Sequence, residues 1–126
     1  GGTYMAYLVM QSEDKTNEVF KRPKMLHYIE KLQDYLKSKG DVGKSTSLAD
    51  VTKKVYYELM GGDKEYYKIP KSEQGVAQCL ISFQNSHKPD DLWHFVNPDY
   101  SKLNIWVQLK SGDNKDMEKV IREVDN

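Results

Sequence analysis

The residues Gly40-Asp-Val-Gly43-Lys44-Ser45 are of the types that cradle phosphate, with glycines for close backbone approach, a lysine and a hydroxyl. A phosphate loop has the pattern G-x-x-x-x-G-K-[ST], which is long enough for successive amides to encircle the anion, and it follows a buried strand. The present segment is shorter between its glycines and follows a helical pattern, so it reads as a helix stop and turn. His27, His87 and His94 are potential metal ligands or bases, and the latter two flank Asp90 and Asp91. Structural metal sites use tighter paired spacing or several thiolates, whereas Cys79 is the single cysteine. Cys79 itself falls within a helical apolar pattern and reads as a small core side chain. No G-x-S-x-G elbow is present. These observations assign no catalytic, cofactor-binding or metal-binding residue, and the chain is read as a non-enzyme.

Aromatic residues are the remaining chemistry. Nine tyrosines and two tryptophans are present, with Tyr56, Tyr57, Tyr66 and Tyr67 grouped around Gly61-Gly62. Rings with an apolar face and a wet edge suit a surface that contacts greasy molecules, although packing of a long loop onto the sheet is the simpler reading of the tyrosines. Trp106 occupies the polar face of its strand pattern, which makes it the best interface candidate, followed by Trp93, Tyr66 and Tyr67.

The 126 residues suit one domain, 1–126, with 30% charged and 38% hydrophobic side chains. Nineteen basic and nineteen acidic residues cancel, which removes the positive field that nucleic acid requires. No apolar run approaches the roughly 20 residues that span a bilayer.

The elements that must position these residues follow from periodicity. Tyr4–Met10 is apolar throughout, which predicts a central strand covered on both faces. Met25, Ile29, Leu32 and Leu36 predict a helix opened by Pro23 and stopped at Gly40. A short strand over Val42–Ser47 precedes a helix capped by Ser47 with Leu48, Val51, Val55 and Leu59 inward. Ser72 caps a third helix carrying Val76, Ala77, Leu80, Ile81 and Phe83. His87–Ser101 reads mostly as loop, with a helical turn around Asp91–Phe95. Lys102–Lys110 alternates strictly, so one face is buried and one partly open. A last helix with Met117, Val120, Ile121 and Val124 inward is predicted. The order gives an α+β domain of ferredoxin-like, split β-α-β plan, with inserted helices and without its last strand. An edge left open beside Lys102–Lys110 or Tyr4–Met10 would then allow copies to pair as a homo-oligomer.

Several blocks, in order, resemble one family. Val42-Gly-Lys-Ser-Thr-Ser-Leu-Ala-Asp-Val51 is similar to the stretch VGKV-S-(I/L)-ADYVK of exporters of the resistance–nodulation–division (RND) superfamily, of the branch that includes lipid and hopanoid exporters. Gly61 to Pro70 resembles GGDPAYYRIP, Ala77-Gln78 resembles the start of AQYLLLY, Pro89 to Val96 resembles PDDLWRFVD, and Asp99 to Gly112 resembles DYRKANIWVQLKSGD. The resemblance implies a periplasmic porter domain set between transmembrane helices of a cell-membrane protein. Such a domain contributes to proton-driven efflux of hydrophobic or amphiphilic molecules, lipids among them, and works against other porter subdomains. The proton-relaying acids lie in membrane helices and so outside this chain. From the residues alone, a stand-alone ligand-sensing module of the same shape is the alternative.

Overall fold

A computed structural model describes residues 4–86 and 88–110, a small α+β domain with a three-stranded antiparallel sheet and four helices. In chain order the elements are β1 (Tyr4–Gln11), α1 (Pro23–Lys37), β2 (Val42–Thr46), α2 (Leu48–Leu59), α3 (Glu73–Ser86), α4 (Pro89–Trp93) and β3 (Lys102–Leu109). The sheet order is β1-β3-β2. Both outer strands run antiparallel to β3 and therefore parallel to each other. Strand β3 sits in the centre, which explains its alternation. Leu103, Ile105, Val107 and Leu109 are buried against the helices, while Asn104, Trp106 and Gln108 lie on the opposite face. Burying each of those aliphatic side chains contributes about 1.5–3 kcal/mol.

The core gathers Leu26, Ile29 and Leu36 of α1, Leu48 and Ala49 of α2, Val76 and Leu80 of α3, and Leu92 of α4 onto that covered face. Helix α1 starts on Pro23, whose missing N–H costs nothing in a first turn. Its buried stripe is Leu26, Ile29, Gln33 and Leu36; Ile29 and Leu36 are buried as expected, while Leu26 and Gln33 take the places expected of Met25 and Leu32, which are only partly buried. Its end also differs from expectation. Ser38 closes the helix by bonding back to the Asp34 and Tyr35 carbonyls, and Gly40 has neither a positive φ nor a neighbour that requires glycine.

Helix α2 begins as its sequence predicts. Ser47 accepts from the Ala49 N–H at 3.0 Å, and the Asp50 carboxylate accepts from the Ser47 N–H at 2.9 Å. This capping box satisfies amides that a helix start leaves orphaned. Gly61 and Gly62 end the element with φ of 78° and 80°, backbone that only glycine adopts without strain. Leu59 and Ile81, expected inward, are exposed, and Thr52 takes a buried place on α2, while Cys79 is buried in α3 as expected. Ser72 caps α3 through the Gly75 N–H at 2.9 Å.

The largest correction concerns β1. It is an edge strand, paired to β3 alone among the described residues. Ala6, Leu8 and Met10 pack partly on the core, but Met5, Tyr7 and Val9 are 63%, 54% and 44% exposed. A wholly apolar run signals that both faces want cover; the described residues supply it to one. The helix expected around Met117–Val124 lies outside the described residues.

Candidate functional site: the open face of the sheet

Three residues from separate segments build an aromatic stack on the uncovered face. Register places Tyr7 of β1 opposite Trp106 of β3, and their ring centroids are 5.0 Å apart. His94, just after α4, lies flat on the other side of Trp106, at 4.1 Å and 5° between planes. The indole Nε1–H donates to the His94 carbonyl at 2.9 Å. That bond satisfies the one polar atom of the indole and fixes the plane on which His94 stacks. The Asn104 N–H donates to the Phe95 carbonyl and Val96 bridges to Leu103, which fixes the segment carrying His94 against β3.

Beside the stack runs a groove of about 230 Å³ lined by Tyr7, Val9, Trp93, Val96, Asn97, Lys102 and Asn104. Trp93 is half-buried against the core and shows its remainder to this groove. Two of the four residues expected to make contacts, Trp106 and Trp93, thus share one surface through Tyr7. The other two do not join it. Tyr66 packs edge-on to Tyr56 at 5.5 Å, and Tyr67 to Tyr57 at 5.8 Å, so both rings rest on α2. The loop after Gly62 packs on a helix and not, as expected, on the sheet.

Sequence reasoning missed Tyr7, Val9 and His94 as members of this face. For Tyr7 and Val9 a signal existed, because residues of one parity on β1 had to share the face of Trp106. For His94 no local signal exists, since its stacking depends on how α4 returns to the sheet.

A second cleft, of about 920 Å³, lies between α1, β2 and the start of α2. It is a mixed-charge surface. Gln33 donates to Asp50 Oδ2 at 2.8 Å and to Ser45 Oγ at 3.1 Å, and it accepts from Ser47 Oγ at 2.8 Å. Lys53 pairs with Glu30 at 3.0 Å. Burial works against the Lys53 charge, but the bond to Glu30 and the carboxylates of Glu30 and Asp50 outweigh it and hold its pKa above the ordinary lysine value. His27 on this rim bonds Glu30 at 2.8 Å. The glycine–lysine–serine segment therefore serves as β2 and its link to α1. Ser45 faces the helix, and Gly43 lies where an added Cβ would stand 3.5 Å from the Gln108 carbonyl.

Cys79 is 1% exposed, and burial pushes its thiol pKa up, the opposite of what an activated nucleophile needs. Among the described residues, no three His, Cys, Asp or Glu side chains gather where a metal could bind, and no helix is long and apolar enough to cross a membrane. His87 lies outside the described residues, and Asp90 and Asp91 occupy the first turn of α4. Compared with protein-family models, curated proteins and solved structures, the chain matches none.

Proposed function

We propose that the chain is an extracytoplasmic porter domain of an RND-type, proton-driven exporter, and that it meets hydrophobic or amphiphilic cargo on the open face of its sheet. One observation carries the reading: exposed Met5, Tyr7 and Val9 lie on the sheet face opposite the helices, where Tyr7 meets a half-buried Trp106 that is itself stacked by His94. Apolar groups of this size left in water on one contiguous face mark an interaction surface. Ring faces and thioethers contact acyl chains or steroid-like skeletons without demanding fixed hydrogen-bond geometry. Lys102 and Asn97 at the groove supply a polar end for an amphiphile.

The chain's plan supports the same reading. Strands β1 and β2 are joined through α1 and separated by antiparallel β3, an arrangement compatible with the ferredoxin-like, split β-α-β plan that the resemblance implies. The matched blocks fall on features with physical jobs. The first holds the capping box of α2, the second opens with the left-handed Gly61-Gly62 pair, and the last contains β3 with Trp106. In such a domain the work is positioning and movement of cargo, not bond making.

Tryptophan fluorescence tests this. Titration of the full chain with a brominated detergent below its micelle concentration quenches Trp106 and, more weakly, Trp93, with a saturating curve. The Trp106→Phe variant loses most of that quenching and retains its fold by circular dichroism. A linear, non-saturating response identical in wild type and variant would overturn the assignment.

A further inference from the structure

Among the described residues, strand β1 is an edge without the usual protection. Its eight residues, YMAYLVMQ, contain no charge, proline or glycine, which are the devices that ordinarily blunt an edge. The opposite edge, β2, has them: it is five residues long, contains Gly43 and Lys44, and shifts register between Val42 and Ser45.

Which backbone groups of β1 point outward follows from bonds at the margins of the sheet. The Ser12 N–H donates to the Ser101 carbonyl at 2.7 Å, one step beyond the Gln11↔Lys102 pair. On the far side of β3, the Asn104 N–H donates to Phe95 and the Lys110 N–H to Asp41, at 2.9 and 3.0 Å. Backbone groups alternate in direction along an antiparallel strand. Tyr4, Ala6, Leu8 and Met10 therefore bond to β3, and Met5, Tyr7, Val9 and Gln11 turn their N–H and C=O groups to the free edge. The same odd-numbered residues carry exposed side chains, as does Tyr4 at the start of the strand.

We propose that this edge pairs with β1 of a second copy of the chain, antiparallel, about a two-fold axis at Tyr7. Such an axis sets Tyr7 opposite Tyr7, Met5 opposite Val9, Ala6 opposite Leu8 and Tyr4 opposite Met10. Each of these four pairs is apolar or aromatic, and no like charges meet, because the strand has none. The parity is also right. Residues 5, 7 and 9 of each copy face one another with their free backbone groups, and both open faces stay on one side of a six-stranded sheet. The contact is isologous and closes at two copies. A single ladder is small beside the roughly 1,200–2,000 Å² of stable complexes, so the pairing is reversible and grows with concentration. This inference stands apart from the exporter reading, since it needs only the edge.

Amide hydrogen exchange on the full chain, measured by NMR over a dilution series, reads it residue by residue. Exchange at Met5, Tyr7 and Val9 slows about tenfold as the dimer fraction reaches about nine-tenths, while the even-numbered amides of β1 are protected at every concentration. Tyr7→Lys and Tyr7→Glu each abolish the concentration dependence, by setting like charges face to face. An equimolar mixture of the two restores it. Odd-numbered amides protected equally at all dilutions, which would mean that a segment of the same chain such as residues 111–126 fills the edge, overturn the proposal. So do odd-numbered amides that exchange freely at every concentration, or a mixture of the two variants that fails to pair.

Discussion

Gln33 is the polar residue on which the joint between α1, β2 and α2 turns, and replacing it by methionine isolates its role. Methionine keeps the length and approximate volume of the side chain but removes all three hydrogen bonds, to Ser45, Ser47 and Asp50. A neutral bond contributes about 1 kcal/mol and one to a carboxylate about 1.5–3 kcal/mol. Partial recovery is built in, because Asp50 keeps the Ser47 N–H and faces the cleft, where water replaces the lost donor. Ser47 Oγ, fully buried, has no such recourse. The net loss is about 2–3 kcal/mol, which for a chain of this size lowers Tm by about 10 °C. Urea unfolding followed by circular dichroism at neutral pH measures it. Ser47→Ala alone loses the cap and costs about 1–2 kcal/mol, but it costs about 1 kcal/mol less in the Gln33→Met background, since part of its effect is already spent. A loss below about 0.5 kcal/mol for Gln33→Met, or strict additivity of the two changes, would refute the network.

Gly75→Ala destabilises the fold by about 1–2 kcal/mol in the same assay, although alanine favours helices, because the new Cβ would stand 2.9 Å from the rigid Pro70 ring. Tyr100 gives an alkaline transition. Burial, aided by the Glu18 charge, pushes its hydroxyl pKa up to about 12. The folded pKa exceeds the unfolded one, so the stabilisation is fully present below about pH 10 and is lost as pH rises towards about 12, a loss of about 2–3 kcal/mol. Denaturation midpoints across that range decline in the wild type and decline less in Tyr100→Phe. Cys79 in the native protein reacts with a thiol reagent only as fast as the chain opens, and stoichiometrically once unfolded; immediate native labelling would contradict its burial in α3.

What could be read from the sequence was whatever local chemistry or simple periodicity encodes. The Ser47 cap and the Gly61-Gly62 break are local, and each requires a particular residue type where it stands. The alternation Leu103 to Leu109 records directly a strand with one buried face. The run Tyr4–Met10 misled because apolar residues state that cover is wanted and say nothing of what supplies it. Leu59 and Ile81 misled for a related reason: a helical stripe is drawn from hydrophobicity, while burial depends on which neighbour arrives. Gln33 occupies a core position of α1, spaced with Leu26, Ile29 and Leu36, and only the serines of β2 and the α2 cap explain why a polar side chain belongs there. The aromatic face was half visible, through Trp106 on the open side of its strand and Trp93 close by. Its completion by Tyr7 and His94 comes from register and from the return of the chain after α4, neither of which is written locally.

Whether this domain works inside an exporter is tested most directly by reading the gene on both sides of the codons for Gly1 and Asn126. The expected result is a membrane-spanning segment shortly before the first and further spans beyond the second, in one open frame. A frame that encodes this domain and contains no such spans would contradict it.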